Sequence, residues 1–557
     1  LLVELAPPLA VALLAWWLPR LPPGVWTFPS RLLRQLAKTP RHAVVWSAVL
    51  SFAVCPIFSW VRPPSPHIHD EFSYLLAADT FAHGRLSNPA HPLWEHFESF
   101  HINQQPTYQS KYPPGQGLFL AAGQALTGRP IVGVWLSVAA AAAAVCWMLL
   151  GWMPPRWALL GGLLPAFRFG TLPLWDDFWF AYWSTTFWGG AVAMAGGALL
   201  FGALPRLFRK PRARDAAWLG VGLIVLANTR PFEGLVAALP VAVLLAAWAG
   251  TQIHRWKVLV SQVVVPTAGV LLVGMVATGY YNYRGTGDAK KMPYLVNSEQ
   301  YEVVPLFIFQ PRMPDKTYNH DVFREYHYEF MMNGYDRKRS GFGIPAENLI
   351  LATHFFWGYA LWAALAFGLT RFTRWEAFAV VLSALTVLAN AASSSERMHL
   401  HYLAPVVPLF VFLSVAGLRQ MRVFRVGGRR IGRGMAEACV AICLLSFTAA
   451  CMLRAHYGPH YPGRLAYHRP LIIGQLKASG GDDLVIVTYA AGHNMLDEWV
   501  YNGADLEGAP IVWARDMGSE KNRRLLEYYA QRHIWRLYAD EDPPRLEAYD
   551  ETPPFEK

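Results

Sequence analysis

The stretch VVWSAVLSFAVCPIFSWV, residues 44–61, runs directly into RPPSPHIHDEFSY, residues 62–74, and this junction decides how the chain is read. Val44 to Val61 carries no charge and approaches the roughly 20 residues needed to cross a hydrocarbon core. It opens into His69-Asp70-Glu71, an acid pair at the mouth of a span. Ionisable groups at a membrane boundary are costly to keep, so they point to function by default. A polar, Pro- and His-rich stretch follows and closes at Lys111-Tyr112-Pro113-Pro114-Gly115.

The rest of the chain agrees with a membrane reading. Of 557 residues, 54% are hydrophobic and only 16% are charged, against about 25% charged in an ordinary soluble domain. The apolar residues fall into repeated blocks of span length. A formal net charge of +11 could suggest nucleic-acid binding, but its location argues otherwise. Five basic residues lie in Arg20–Arg41, five in Arg206–Arg214 and six in Arg419–Arg433. All are short loops between apolar blocks, where Lys and Arg mark the cytoplasmic side. The charge is thereby explained without nucleic acid. Cys55, Cys146, Cys439, Cys443 and Cys451 lie in or beside apolar blocks, so a disulfide framework is not expected.

With Arg20–Arg41 inside, eleven crossings follow after residue 42. Basic loops land inside, and acidic or His-rich junctions land outside. The expected organisation is an N-terminal apolar segment and basic loop (1–42), a transmembrane domain (43–453) and an external α/β domain (454–557). Residues 62–130 and 281–349 form large external loops. Leu1–Pro19 is interrupted by Pro7-Pro8 and leaves a span, a re-entrant helix or a signal-like segment open. Gln116–Thr127 is too short to cross and is placed at the membrane surface. The expected fold is mainly α and polytopic, with a small C-terminal α/β domain. In that domain Leu484–Tyr489, Pro510–Ala514 and Ile534–Tyr538 read as strands and Asn522–His533 as a helix.

Candidate chemistry gathers at the outer ends. Asp70 can serve as a general base to an acceptor hydroxyl, or simply cap a helix Glu71–His83. Lys111, stiffened by two prolines, suits a phosphate, or snorkels to headgroups. Asp176-Asp177 sits beside belt-type aromatics. Arg230 can grip a lipid phosphate or pair with Glu233. Glu396, His399, His401 and Tyr402 form another outer cluster, which lacks a third firm ligand for a metal. These groups come from five parts of the chain, and a cavity at the outer leaflet would bring them together.

The His-Asp-Glu-Phe-Ser-Tyr junction, the Lys-Tyr-Pro-Pro-Gly motif and the Trp-Asp-Asp junction resemble GT-C glycosyltransferases over roughly residues 43–420. The nearest groups are protein mannosyltransferase-like and aminoarabinose-transferase-like enzymes, including a bacterial galacturonosyltransferase-like branch. The resemblance implies an inverting transfer from a polyprenyl-phosphate-linked sugar to a cell-envelope acceptor outside a bacterial inner membrane. It implies Asp70 as base, Glu71 as its neighbouring acid, and Lys111 near the donor phosphate. Asp176 or Asp177 would be the acid at a later junction, where the family usually has Thr-Asp or Ser-Asp. Arg230 and the Glu396–Tyr402 cluster would contact donor phosphate or acceptor. No cofactor is required, although some relatives bind a divalent cation. A lipid-linked oligosaccharide ligase and a flippase or transporter are the alternatives. The ligase reading leaves Asp70 and Lys111 unexplained, and the transporter reading calls for ionisable groups in mid-span. The tail reads as a packed lid or scaffold, with Glu498–Asn502 as its candidate contact with an acceptor.

Overall fold

The computed structural model describes residues 31–549 apart from 62, 169–181, 341–360, 369, 371, 395–399, 426, 429–430 and 458–462. Leu1–Pro19 therefore lies outside the described residues. The chain is mainly α-helical, with a small sheet near its C-terminus. Several helices begin on proline, at Pro40, Pro130, Pro155 and Pro231. Proline is favoured there because a first-turn N–H has no helical partner to lose and its φ is already set. Pro40–Ile57, Pro130–Leu149, Ala191–Arg209, Pro231–Thr251, Ile253–Thr286 and Arg374–Ala391 are long and apolar enough to span. Helices Pro155–Arg168, Ala213–Ala227, Val407–Met421 and Gly432–Tyr457 fall on further expected crossings. The expected Ile350–Leu369 crossing is described only over 361–368, which is helical.

Burial separates the centre of the bundle from its rim. In its most apolar 18-residue stretch, Ala191–Arg209 has 78% of its residues buried, whereas that of Ile253–Thr286 has only 11%. Leu272, Val273, Met275 and Val276 on that outer helix face outward. An apolar surface of that extent is stable in lipid and not in water. At the centre, small residues allow close contact. A Cβ on Gly123 would lie 2.1 Å from the Gly133 nitrogen, so the short helix Pro114–Thr127 sits directly against Pro130–Leu149.

This rim helix is also longer than a hydrocarbon core is thick. Its 34 residues extend about 51 Å at 1.5 Å each, against a hydrocarbon core of about 30 Å. The excess carries its end beyond the expected boundary at Tyr280, out to Thr286. There the Gly285 carbonyl accepts from Thr107 Oγ1 at 2.7 Å and from Gln109 Nε2 at 2.8 Å. A rim helix thus braces the first large loop, including its short antiparallel ladder β1 (Ile102–Asn103) and β2 (Gln109–Ser110).

The tail forms a four-stranded sheet from β3 (Asp483–Thr488), β4 (Ile511–Arg515), β5 (His533–Tyr538) and β6 (Arg545–Ala548). Its order is β4-β3-β5-β6, with the first three strands parallel and β6 antiparallel. The intervening helix runs Ser519–Tyr528, a few residues earlier than expected. β6 gave no strand signal in the sequence, because Arg545-Leu546-Glu547-Ala548 has no β-branched or aromatic side chain. The connection from β3 to β4 has no helix. It lies against the first large loop, where Phe72, Leu76, Phe97 and Ile102 share one core with Trp499, Val500 and Tyr501.

Candidate active site

Asp70 stands in the first turn of the helix His69–Ala82, and Ile68 is the N-cap. The helix begins earlier than Glu71, so the capping role open to Asp70 in the sequence falls away. Its Oδ1 instead accepts from the Tyr112 hydroxyl in a short contact, with His101 Nδ1 3.5 Å away. The side chain keeps 18% of its surface open. Burial alone would raise the carboxyl. The His101 ring, the Tyr112 hydroxyl and the Lys111 ammonium outweigh it and hold Asp70 well below the usual carboxylate range. Asp70 is therefore ionised at neutral pH.

Glu71 is 1% exposed, and both of its oxygens are engaged. Oε1 accepts from the Phe187 backbone at 2.9 Å, and Oε2 accepts from the His67 backbone at 3.1 Å. Glu71 thus ties the helix start to the segment before it and to residues near 187. The tail grips the same helix. His69 Nδ1 lies 2.7 Å from the Tyr501 hydroxyl, and the Tyr501 ring stacks on Phe72 at 4.0 Å. Asp79, further along, accepts from Gln124 Nε2 and from the Ala504 backbone, each at 2.7 Å.

Lys111 follows β2 and is 6% exposed. Its ammonium lies 3.6 Å from Glu302 Oε1 and 5.1 Å from the Tyr294 ring centre. The Pro-Pro-Gly that follows turns the chain into the short helix, and Gly115 N–H donates to the Asn228 carbonyl at 2.8 Å. Lys-Tyr-Pro-Pro-Gly is thereby docked on the Thr229-Arg230 turn. Arg230 precedes its own helix, with its guanidinium 4.9 Å from the Tyr402 ring centre. His401 is buried, with its ring 4.6 Å from Trp188. Tyr74, one turn beyond Asp70, stacks on Tyr112 at 4.6 Å.

The structure therefore brings Asp70, Lys111, Arg230 and Tyr402 into one tyrosine-rich region at helix ends. Asp176, Asp177, Glu396 and His399 lie outside the described residues. No group of three or more His, Cys, Asp or Glu side chains able to hold a metal occurs among the described residues. Sequence reasoning missed His101, Glu302 and Tyr326. Tyr112 was visible only as a letter inside the Pro-Pro-Gly motif. His101 had one usable signal, its place in a His-rich loop. Glu302 and Tyr326 come from the second large loop and had none.

A charged network joins the tail to both large loops. Arg515 Nη2 donates to Glu498 Oε2 in a short contact, and Arg515 Nε donates to the Glu98 carbonyl at 2.8 Å. The Glu98 carboxylate accepts from the Tyr301 hydroxyl at 2.8 Å and from Asn319 Nδ2 at 2.9 Å. Glu498 and Trp499 are buried. This part of the candidate acceptor stretch Glu498–Asn502 is occupied in holding the tail on the loops.

No protein-family model and no curated protein sequence matches the chain. Among solved structures, ArnT from Cupriavidus metallidurans bound to undecaprenyl phosphate is similar at 12% identity and a TM-score of 0.48, covering 89% of this chain and 93% of that one. An Archaeoglobus fulgidus oligosaccharyltransferase tethered to an acceptor peptide is similar at 10% identity and a TM-score of 0.39, covering 79% and 62%. Archaeal AglB from Archaeoglobus fulgidus, in complex with an inhibitory peptide and a dolichol-phosphate, has 11% identity and a TM-score of 0.35, covering 79% and 62%. These likenesses are distant, and the functional reading rests on the residues of the site.

Proposed function

We propose that this protein is an integral membrane glycosyltransferase, which moves a sugar from a polyprenyl-phosphate donor to a cell-envelope acceptor with inversion. The observation that carries the reading is Asp70 on a braced helix end, its Oδ1 bound by Tyr112, the neighbour of the buried Lys111. A polyprenyl phosphate cannot leave the bilayer, so its phosphate sits at headgroup depth. Both the base and the cation must be there, on rigid elements.

In this reading an acceptor hydroxyl or amine attacks the anomeric carbon as the carbon–oxygen bond to the phosphate breaks. The acceptor's proton passes to Asp70, and the lipid phosphate leaves with the bonding pair. Lys111 and Arg230 stabilise the charge that grows on the phosphate. Glu302 is the resident counterion of Lys111 at 3.6 Å and must yield as the phosphate arrives. Glu71 positions the helix that carries the base. Asp176, Asp177, Glu396, His399, His401 and Tyr402 are proposed contacts to the substrates. Lipid location, an outward-facing site and a bacterial inner membrane belong to the same proposal. No cofactor is called for, and a divalent cation is left to the assay.

The test is transfer in proteoliposomes from a panel of radiolabelled polyprenyl-phosphate sugars to cell-envelope acceptors. Wild type transfers sugar, while Asp70→Asn binds undecaprenyl phosphate but loses transfer by about 100- to 10,000-fold, the range of general-base catalysis. Wild-type rates in Asp70→Asn would remove Asp70 as base. No turnover and no donor binding across the panel would remove the transferase reading.

A further inference from the structure

We infer that Tyr112 and His101 are positioning residues for Asp70, which clamp one carboxylate oxygen so that the other faces the acceptor, and that Tyr326 sets the ring state of His101. The inference rests on the transferase reading and adds three residues to it.

The hydrogen-bond directions follow from the donors available. An ionised carboxylate only accepts, so the single proton of the Tyr112 hydroxyl goes to Asp70 Oδ1. His101 Nδ1 lies 3.0 Å from the same hydroxyl oxygen. That oxygen has already spent its proton, so Nδ1 must carry one and donate. Burial and the Lys111 ammonium hold His101 below its usual range, so the ring is neutral and Nε2 is left as an acceptor. Tyr326, from the second large loop, places its hydroxyl 3.3 Å from Nε2. The chain runs one way, from Tyr326 through His101 and Tyr112 to Asp70. Among the described residues no hydrogen bond engages Asp70 Oδ2, which leaves that oxygen for an acceptor proton.

The backbone supports the same reading. His101 has φ +63° and is the only non-glycine residue with positive φ among the described residues. Strained residues of this kind persist where the surroundings over-determine them, and they cluster at active sites. Here the His101 carbonyl accepts from Ser73 Oγ at 2.7 Å and from the Lys111 backbone at 3.1 Å. Ser73 lies one turn after Asp70 on the same helix, and its hydroxyl also meets Ser110 Oγ at 2.7 Å. The strained turn is therefore pinned to the base helix on one side and to the Lys111 backbone on the other. The titratable and charged groups around Asp70 are His69 and Tyr74 on its own helix, His101, Lys111 and Tyr112 from the first loop, Tyr326 from the second, and Tyr501 from the tail.

The test compares wild type, Tyr112→Phe, His101→Ala and His101→Asn in the proteoliposome assay across pH, with undecaprenyl phosphate binding measured alongside. Asparagine tolerates positive φ and offers an amide N–H near the position of Nδ1. Tyr112→Phe is expected to lower kcat about 10- to 100-fold, leave undecaprenyl phosphate affinity unchanged, and move the acid limb of the rate profile to higher pH. His101→Asn is expected to restore most of what His101→Ala loses. An unmoved acid limb in Tyr112→Phe, or His101→Asn as inactive as His101→Ala, overturns the inference while wild-type turnover keeps the transferase reading. Infrared titration of the Asp70 carboxyl, identified by difference against Asp70→Asn, gives the same answer without turnover. The Asp70 midpoint should rise in Tyr112→Phe, and an unchanged midpoint overturns the inference.

Discussion

Gly115→Ala should impair the enzyme through geometry alone. Gly115 closes the Lys111–Gly115 motif, and a Cβ there would lie 2.4 Å from Thr229 Cγ2 and 2.6 Å from the Asn228 carbonyl oxygen. Ordinary contact begins near 3.4 Å, so the loop or the turn must retreat by about 0.8 Å, the shortfall of the backbone contact. The Gly115 N–H to Asn228 bond, now 2.8 Å, would then exceed hydrogen-bonding range at about 3.6 Å. Overpacking of this kind costs about 1–3 kcal/mol, and the lost bond about 1 kcal/mol more. The same retreat shifts Lys111 relative to Arg230, and a 1 Å misplacement can cost about 100-fold in rate. Thermal unfolding in detergent and transfer kinetics would both be measured. A modest fall in Tm with a transfer loss of about 100-fold is expected. A Gly115→Ala protein with wild-type Tm and wild-type kcat/KM would refute the claim that this contact sets the site.

Other outcomes follow from the same geometry. Glu302→Gln removes a negative charge 3.6 Å from Lys111 and should tighten undecaprenyl phosphate binding severalfold; weaker binding would mean that Glu302 orients Lys111. Arg515→Met strips the buried Glu498 of its cationic partner and should destabilise the tail by about 3–5 kcal/mol, seen as an earlier unfolding step and faster proteolysis near residue 500. Asp70 has a folded-state value depressed below its unfolded one, so its contribution is present above the unfolded value and is lost as pH falls through the folded one. Transfer should accordingly hold as pH falls to about 4, the ordinary aspartate range, and fail only below it; an acid limb near pH 6 would contradict the assignment of Asp70 as an ionised base.

The sequence alone marked the spans, because lipid requires uninterrupted apolar stretches and leaves basic residues to the loops. It also marked Asp70 and Lys111, because charge at a membrane boundary stands out against an apolar background. It misplaced the helix start by two residues, since Ile68 caps with its backbone alone and leaves no side-chain signature. It placed the last β-strand nowhere, because β6 is held by pairing with β5 and not by propensity. Only the tertiary structure decided what surrounds the base. His101, Tyr112, Tyr326 and Tyr501 come from three regions spread over some four hundred residues of chain, and nothing local in the sequence ties them to Asp70. Their hydrogen bonds depend on side-chain directions that emerge once the loops are folded against each other and the tail is docked on them. A composition pattern reports what a residue's solvent must be, while a site depends on which residues meet, and meeting is a property of the folded chain.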